Sequence, residues 1–437
     1  MRTTLHKLID PNTLDFLGKS YKLLVVRVLL LIFSFVVSIM LGRYLGPSGL
    51  GVINLVERII SLAIIIVLFG SSQYLIKEVA IAKGKKQWQK IYNILHSSLL
   101  YLFIGSLICA LCLLIGSEYI ATGLFDENKM QIPLCIASLS VVFQVVNRIY
   151  SSALNGFDKI WQSSFFNELI TTFLVLCIIS CFVFFQLDLT IVNVSIFYLF
   201  SRLIAMLSSW FVWKKVFPFR FNSSRIKFKS LFKSSFPFLL VSATGFVGAN
   251  IDALMVGILS TSTQVGLYSV CVRVALVSTI LLQIVNTTLA PRFAAFYYEE
   301  KYSELNSLIK KISIGLVITS VGPLLIFILM GEGILEFWGD GFRSAYWILV
   351  TLALGQMFQV LGNTSGLMLV MCGYEKIQAK LSFSSILLNL SINYFLISNY
   401  GALGAAIATS IVFFLENILK VYFAKRFTGI VTLPFLK

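Results

Sequence analysis

Arg58 and Arg273 stand 215 residues apart, each inside a long apolar stretch. Each falls about seven residues, or roughly 10 Å of helical rise, below the expected outer end of its stretch. A charge in such surroundings costs about 2.5–3.5 kcal/mol to insert on translocon scales, so it faces a cavity, water or a partner. A guanidinium held there presents a fork of donors that matches phosphate or carboxylate geometry. The chemistry this pair suits is anion holding, from two equivalent positions facing one central cavity. For Arg58 a plainer reading stands beside it. It pairs with Glu57 or another carboxylate, or it snorkels to the outer surface.

Further charges lie in apolar text. Arg27, near the inner end of the first stretch, is either a snorkelling anchor or a ligand for an anionic headgroup. Arg202 sits near the middle of the sixth stretch, the costliest depth, and needs a partner or water. Arg148 and Glu168, near the inner ends of the fourth and fifth stretches, suit a structural ion pair. Asp252, in the seventh, reads either as a proton- or cation-coupling site or as a partner for Arg273 or another buried arginine. Glu416 and His96 read as satisfied polar groups. Asn54, Asn250, Gln283 and Asn286 are polar residues that nothing in the sequence ranks. No Ser/His/Asp set or metal-spaced cluster stands out, and no cofactor is implied. The stretch GPSGLG (Gly46–Gly51) lacks the strand and the Lys-Ser/Thr of a nucleotide loop, which argues against ATP-driven work by this chain.

The elements that must position these charges are membrane helices. The 437-residue chain is 58% hydrophobic and 12% charged, whereas soluble domains are about 25% charged. The net charge of +16 would suit nucleic acid, but the basic residues cluster in short loops between apolar runs. That is the positive-inside pattern, so the expected partner is membrane lipid and not nucleic acid. The seven cysteines mostly lie within apolar runs and are expected to be free. The segment up to about Lys22 is polar and basic without a cleavage site. It is expected to be a cytoplasmic leader into the first span.

The pattern predicts an all-α polytopic membrane protein with twelve transmembrane helices. They fall near residues 23–42, 51–71, 93–115, 131–153, 164–185, 190–213, 236–258, 266–290, 311–330, 345–370, 380–398 and 402–423. Twelve spans place both termini on one side, and 28 of the 35 Lys and Arg residues then fall on that side. Both termini are therefore expected in the cytoplasm. The opposite loops are acidic, with Glu118, Asp126, Asp188 and Asp340 among them.

The chain repeats itself. A shift of 215 brings Gly42 onto Gly257, Gly51 onto Gly266 and Arg58 onto Arg273. It also brings "FQV" at Phe143–Val145 onto "FQV" at Phe358–Val360. A shift two residues longer brings "NGFDKI" (Asn155–Ile160) onto "CGYEKI" (Cys372–Ile377). The order of matches predicts an N-terminal six-helix lobe over 1–213, a basic cytoplasmic linker over 214–235 and a C-terminal six-helix lobe over 236–437. Six is even, so the lobes share an orientation and a pseudo-two-fold axis along the membrane normal relates them. Pro47 and Gly49 are expected to form the outer turn between the first two spans. The small-residue run GALGAAIATS (Gly401–Ser410) suits close helix packing.

At this point "LGRYLGPSGLGVINLV", "FGSSQYLIKEVA", "LNGFDKIWQSSFFNEL" and "YGALGAAIATSIVFFLENIL" together resemble a known group. It is the polysaccharide-unit (O-antigen type) lipid flippase family of the multidrug/oligosaccharidyl-lipid/polysaccharide exporter superfamily. The resemblance covers nearly the whole chain. It implies two six-helix lobes around a cavity that opens alternately to either side. It implies undecaprenyl-pyrophosphate-linked oligosaccharide repeat units as substrate, the bacterial inner membrane as location, and polysaccharide polymerase machinery as a partner. Related lipid II flippases use arginines on the first, second and eighth helices, where this chain has Arg27, Arg58 and Arg273. They also carry two further C-terminal spans that this chain lacks. With the resemblance, Arg58, Arg273 and Arg27 are candidate pyrophosphate ligands; Arg202 joins them on its depth, and Asp252 is the coupling candidate on its place in the seventh stretch. A cation-coupled multidrug or small-molecule exporter of the same superfamily is the first alternative. A membrane-embedded polymerase or glycosyltransferase is the second, and the short outer loops argue against it.

Overall fold

The computed structural model describes residues 11–219, 221 and 228–429. Part of the expected basic linker (residues 220 and 222–227) and the side chains of Gln283 and Asn286 lie outside the described residues. The described elements are helices, with short 3-10 and π turns. In chain order they are α1 (Pro11–Leu68), α2 (Ser71–Gly84), α3 (Trp88–Glu118), α4 (Gln131–Gly156), α5 (Ile160–Ser164), α6 (Ile170–Phe184) and α7 (Ile191–Val216). Then come α8 (Phe228–Leu259), α9 (Ser262–Ala275), α10 (Ile280–Tyr298), α11 (Tyr302–Glu336), α12 (Tyr346–Met371) and α13 (Glu375–Thr428). A π turn, Phe165–Leu169, joins α5 to α6.

Nine stretches among the described residues are long and apolar enough to cross a membrane. Their outer faces are greasy: Ile115, Phe184 and Leu329 are each at least 80% exposed. Surfaces of this kind are costly in water and cost nothing in hydrocarbon, where helices satisfy their own backbone.

Two of the long helices each contain a single residue at which the chain reverses. Gly46 in α1 has φ 68°, ψ −177°. Gly401 in α13 has φ 57°, ψ −134°. Glycine takes these angles without a side-chain clash. Pro47 follows as the first residue of a new helical segment, where its missing N–H is no loss. The outer turn expected over Pro47 and Gly49 therefore shrinks to one residue, Gly46. In α13, pairs about equally far from Gly401 meet. Asn393 and Thr409 bond one carboxylate. Ser382 bonds Glu416 at 3.3 Å, and the Tyr374 hydroxyl donates to the Phe427 carbonyl at 3.1 Å. The segment is a helical hairpin, and Ala402 N–H, just past the break, donates to the Gln264 side chain at 3.2 Å.

The chain forms two compact units. One holds Met1–Leu45 and Val56–Phe246; the other holds Gly46–Leu55 and Val247–Lys437. In the first, α4 is the central helix, packed on α2, α3, α5 and α7. In the second, α12 is central, packed on α9, α10, α11 and α13. These two helices carry the repeated "FQV". Small residues let their neighbours close in: a side chain at Gly156 would strike the Ile76 carbonyl and Val79, and one at Gly355 would strike Ser410.

The repeated "NGFDKI" and "CGYEKI" are structural. Phe157 packs edge-on to Trp213 and Phe217 at the base of the first unit, while Lys83 bonds Asp158 at 2.5 Å. Tyr374 stacks on Phe427 at 5.2 Å in the second unit. Each motif ties the turn after a central helix to the last helix of its half.

Within the second unit the repeat-matched glycines touch. A Cβ on Gly51 would stand 3.0 Å from the Gly266 nitrogen, and one on Gly266 would stand 3.2 Å from the Gly51 nitrogen. Each would also strike a carbonyl at the start of the other segment, Ser262 and Pro47 in turn. Ser48 and Ser262 hydroxyls meet beside them at 3.3 Å.

Candidate functional site

Arg58 lies eleven residues after Pro47, and Arg273 lies eleven residues after Ser262, the first residue of α9. The shift of 215 thus relates the helix starts as well as the arginines. Eleven residues of helix rise about 16 Å, half the hydrocarbon thickness. That is deeper than the sequence suggested, because the turn residues expected before residue 51 and before residue 266 are already helical. Both arginines are half-buried, and Arg27 on α1 is exposed.

In the first unit, α1, α4, the π turn, α6 and α7 bound a polar cavity of about 380 Å³. Arg202 is its most buried charge, with a side chain 8% exposed, and it forms an ion pair with Glu57. Its Nη1 donates to Ser140 Oγ at 2.9 Å, and its guanidinium lies 5.3 Å from the centre of the Tyr198 ring. With its amide oxygen turned toward Arg202, Gln144 accepts from Nε at 3.3 Å. The partner that Arg202 needs at this depth is therefore Glu57, 145 residues earlier. Arg148 and Glu168 line the same cavity.

The π turn shapes this cavity. It sets Asn167 and Glu168 on the lining, and the Phe166 carbonyl it leaves accepts from Asn147 Nδ2 at 2.9 Å. Single-turn π segments cost helix stability and concentrate at functional places.

In the second unit, Asp252 on α8 sits among neutral donors. Asn393 donates to Oδ1 at 2.7 Å; Thr409 and Tyr268 donate to Oδ2 at 3.0 Å and 3.1 Å. Asn393 also donates to the Asn389 side-chain oxygen at 2.8 Å. The hairpin at Gly401 is what brings Asn393 and Thr409 to one carboxylate. The side chain of Asn393 is fully buried, and its Oδ1 accepts no hydrogen bond. A carboxylate held by one amide and two hydroxyl donors can take up a proton, and would hold a small cation only with those donors turned so that their oxygens face it. Among the described residues no three His, Cys, Asp or Glu gather to hold a metal ion.

Glu416, read as a satisfied polar group, bonds Lys420 at 2.9 Å with both side chains 10% exposed. His96 stacks against Tyr92 at 5.9 Å and borders an apolar cavity of about 490 Å³. Asn393, Thr409 and Tyr268 were missed in the sequence reading. Asn389 and Asn393, spaced one helical turn apart in apolar text, were the available signal.

A family model described as polysaccharide biosynthesis protein matches residues 17–297. The chain belongs to this family. This chain is similar to a Shigella flexneri protein provisionally named an O-antigen transporter. It is 22% identical over 397 residues, covering 89% of this chain and 93% of that one. A Haloferax volcanii protein, provisionally named low-salt glycan biosynthesis flippase Agl15, is 27% identical over 205 residues. That match covers 46% of this chain and only 43% of the relative, so the chain spans less than half of it.

Among solved structures, the family fold is similar to the lipid II flippase MurJ in an inward closed conformation. The TM-score is 0.73 at 16% identity, covering 94% of this chain and 87% of that one. It is equally similar to an inward-facing multidrug resistance MATE family transporter. There the TM-score is 0.73 at 13% identity, covering 92% and 94%. These likenesses show that the chain shares their all-helical fold.

Proposed function

We propose that this chain is a flippase that moves undecaprenyl-pyrophosphate-linked oligosaccharide repeat units across the bacterial inner membrane by alternating access, for surface polysaccharide assembly. The observation that carries the reading is the matched depth of Arg58 and Arg273, eleven residues below equivalent helix starts. A diphosphate must cross about 30 Å of hydrocarbon. Two guanidinium groups near mid-depth replace its lost hydration with forked hydrogen bonds. Arg27, nearer the inner end, receives the headgroup first. Arg202, already bonded to Glu57, holds its neighbours more than it holds phosphate. The polyprenyl tail stays in lipid.

In this reading the chain has twelve spans, two lobes (1–213 and 236–437) joined by the basic linker 214–235, and cytoplasmic termini. Support comes from the nine apolar stretches, two of which reverse at Gly46 and Gly401, together with α9 and α10. The reciprocal Gly51–Gly266 contact is what a two-fold relation between matched segments produces. Asp252 is the coupling residue, taking up a proton or cation among its neutral donors. The chain works as a transporter and not as an enzyme; its polymerase partners act on the delivered units.

The same Asp252 cluster and the likeness to a multidrug transporter favour a second reading, a cation-coupled exporter of small molecules. Cells lacking the protein decide between them. The flippase reading expects lipid-linked repeat units to accumulate inside and surface polymer to vanish. Intact surface polymer with heightened dye sensitivity reverses the order.

A further inference from the structure

We propose that the cavity inside the first unit seats a sugar of the lipid-linked oligosaccharide, apart from the arginines that hold its diphosphate. The inference rests on the flippase reading above and adds a subsite to it.

Charge decides what the cavity can take. Its ionised lining residues are Glu57, Arg202, Arg148 and Glu168, two of each sign. Glu57 and Arg202 already neutralise one another. A diphosphate finds no net positive field here, and a lone cation finds no net negative one. A neutral polyol needs neither.

Hydrogen-bonding capacity points the same way. Each sugar hydroxyl donates once and accepts readily. The lining offers carboxylate and amide oxygens as acceptors, and guanidinium, amide and hydroxyl groups as donors. Asn147 lines the cavity as well, its nitrogen bonded to the Phe166 carbonyl at 2.9 Å.

The backbone is shaped around the cavity too. The π turn widens the α5–α6 segment where Asn167 and Glu168 reach the lining. Arg148 and Glu168 also line the cavity. Ionised groups on the wall are costly against acyl chains, so the cavity favours an opening to water. A volume of about 380 Å³ lies within the usual range of small-molecule sites, about 300–1,000 Å³.

The test uses the full chain in lipid nanodiscs and two radiolabelled probes in a scintillation proximity assay. One probe is bare undecaprenyl pyrophosphate; the other is the same carrier loaded with the repeat unit extracted from the host cell. Wild type is expected to prefer the loaded carrier by about tenfold, the worth of one or two hydrogen bonds to charged or polar partners. Asn167→Ala and Thr171→Val, two small changes on the lining, are expected to erase that preference while bare-carrier affinity stays within about twofold. Arg58→Ala is expected to weaken both probes alike. Variants that keep the wild-type preference overturn the proposal. So does a wild type that binds both probes equally, with the flippase reading left standing. A wild type that binds neither probe ends both. Melting temperatures confirm that each variant is folded.

Discussion

Gly51 and Gly266 pack backbone to backbone, each occupying the space that a side chain on the other segment would need. They are the positions matched by the shift of 215 in the sequence. Gly51→Val or Gly266→Val forces the segments apart. Overpacking of this kind costs about 1–3 kcal/mol. A lower melting temperature of the detergent-purified protein is expected for each variant. No loss in either contradicts the contact.

Arg58→Ala and Arg273→Ala are each expected to abolish surface polymer while the protein remains in the membrane. Complementation of a deletion strain, with immunoblots of membrane fractions, reads this out. Lysine at either place retains charge but loses the fork, so Arg58→Lys and Arg273→Lys are expected to fail more mildly if charge dominates. Full polymer in both alanine variants removes these residues from the transport path.

Asp252→Asn keeps the size of the side chain and much of its bonding while removing its charge. Polymer assembly is expected to fall by at least about tenfold, the loss of one charge-assisted interaction. Thr409→Val, which deletes one donor to the same carboxylate, is expected to fall between the two. Export by Asp252→Asn at the wild-type rate, measured as surface polymer per cell, dismisses the coupling role.

The Glu57–Arg202 pair separates structure from transport. Removing Arg202 leaves Glu57, 30% exposed on the cavity wall, without its counter-charge, which costs less than the roughly 3–5 kcal/mol of a fully buried pair. Arg202→Met is therefore expected to melt below wild type. Glu57→Gln with Arg202→Met is expected to recover much of the loss. A double variant that is stable but inactive assigns Arg202 to substrate; one that is stable and active assigns it to architecture.

The sequence carried the membrane character, the apolar stretches and the matched arginines, because hydropathy and internal repetition are local or self-referential signals. It placed the turn near Gly46 to within a few residues and mistook its form. Nothing in "LGPSGLG" says that Gly46 alone reverses the chain while Pro47 and Gly49 join the next helix. The expected loop after the second span is largely a helix, α2, since Lys77 and Lys83 are as compatible with helix as with loop. Asp252 was singled out from its surroundings alone, yet its bonding partners were invisible. Whether Asn393 and Thr409 converge depends on how far two helices rotate about Gly401, and helical period does not fix that rotation. Arg202 needed a partner on grounds of cost; which carboxylate served was a matter of three-dimensional packing. The π turn left no trace in the sequence of α5 and α6.

That last partnership has a consequence for how the protein is made. Glu57 is synthesised 145 residues before Arg202. At translation rates of about 5–20 residues per second, the carboxylate waits on the order of ten seconds for its counter-charge. Glu416 and Lys420, four residues apart on one helix, reach the bilayer together and already neutralised. The early carboxylate has only its neighbour Arg58 beside it during that wait. Until the later arginine emerges, the half-built chain lacks the ion pair that the finished first unit contains, so insertion of the N-terminal helices is expected to depend on the order of synthesis.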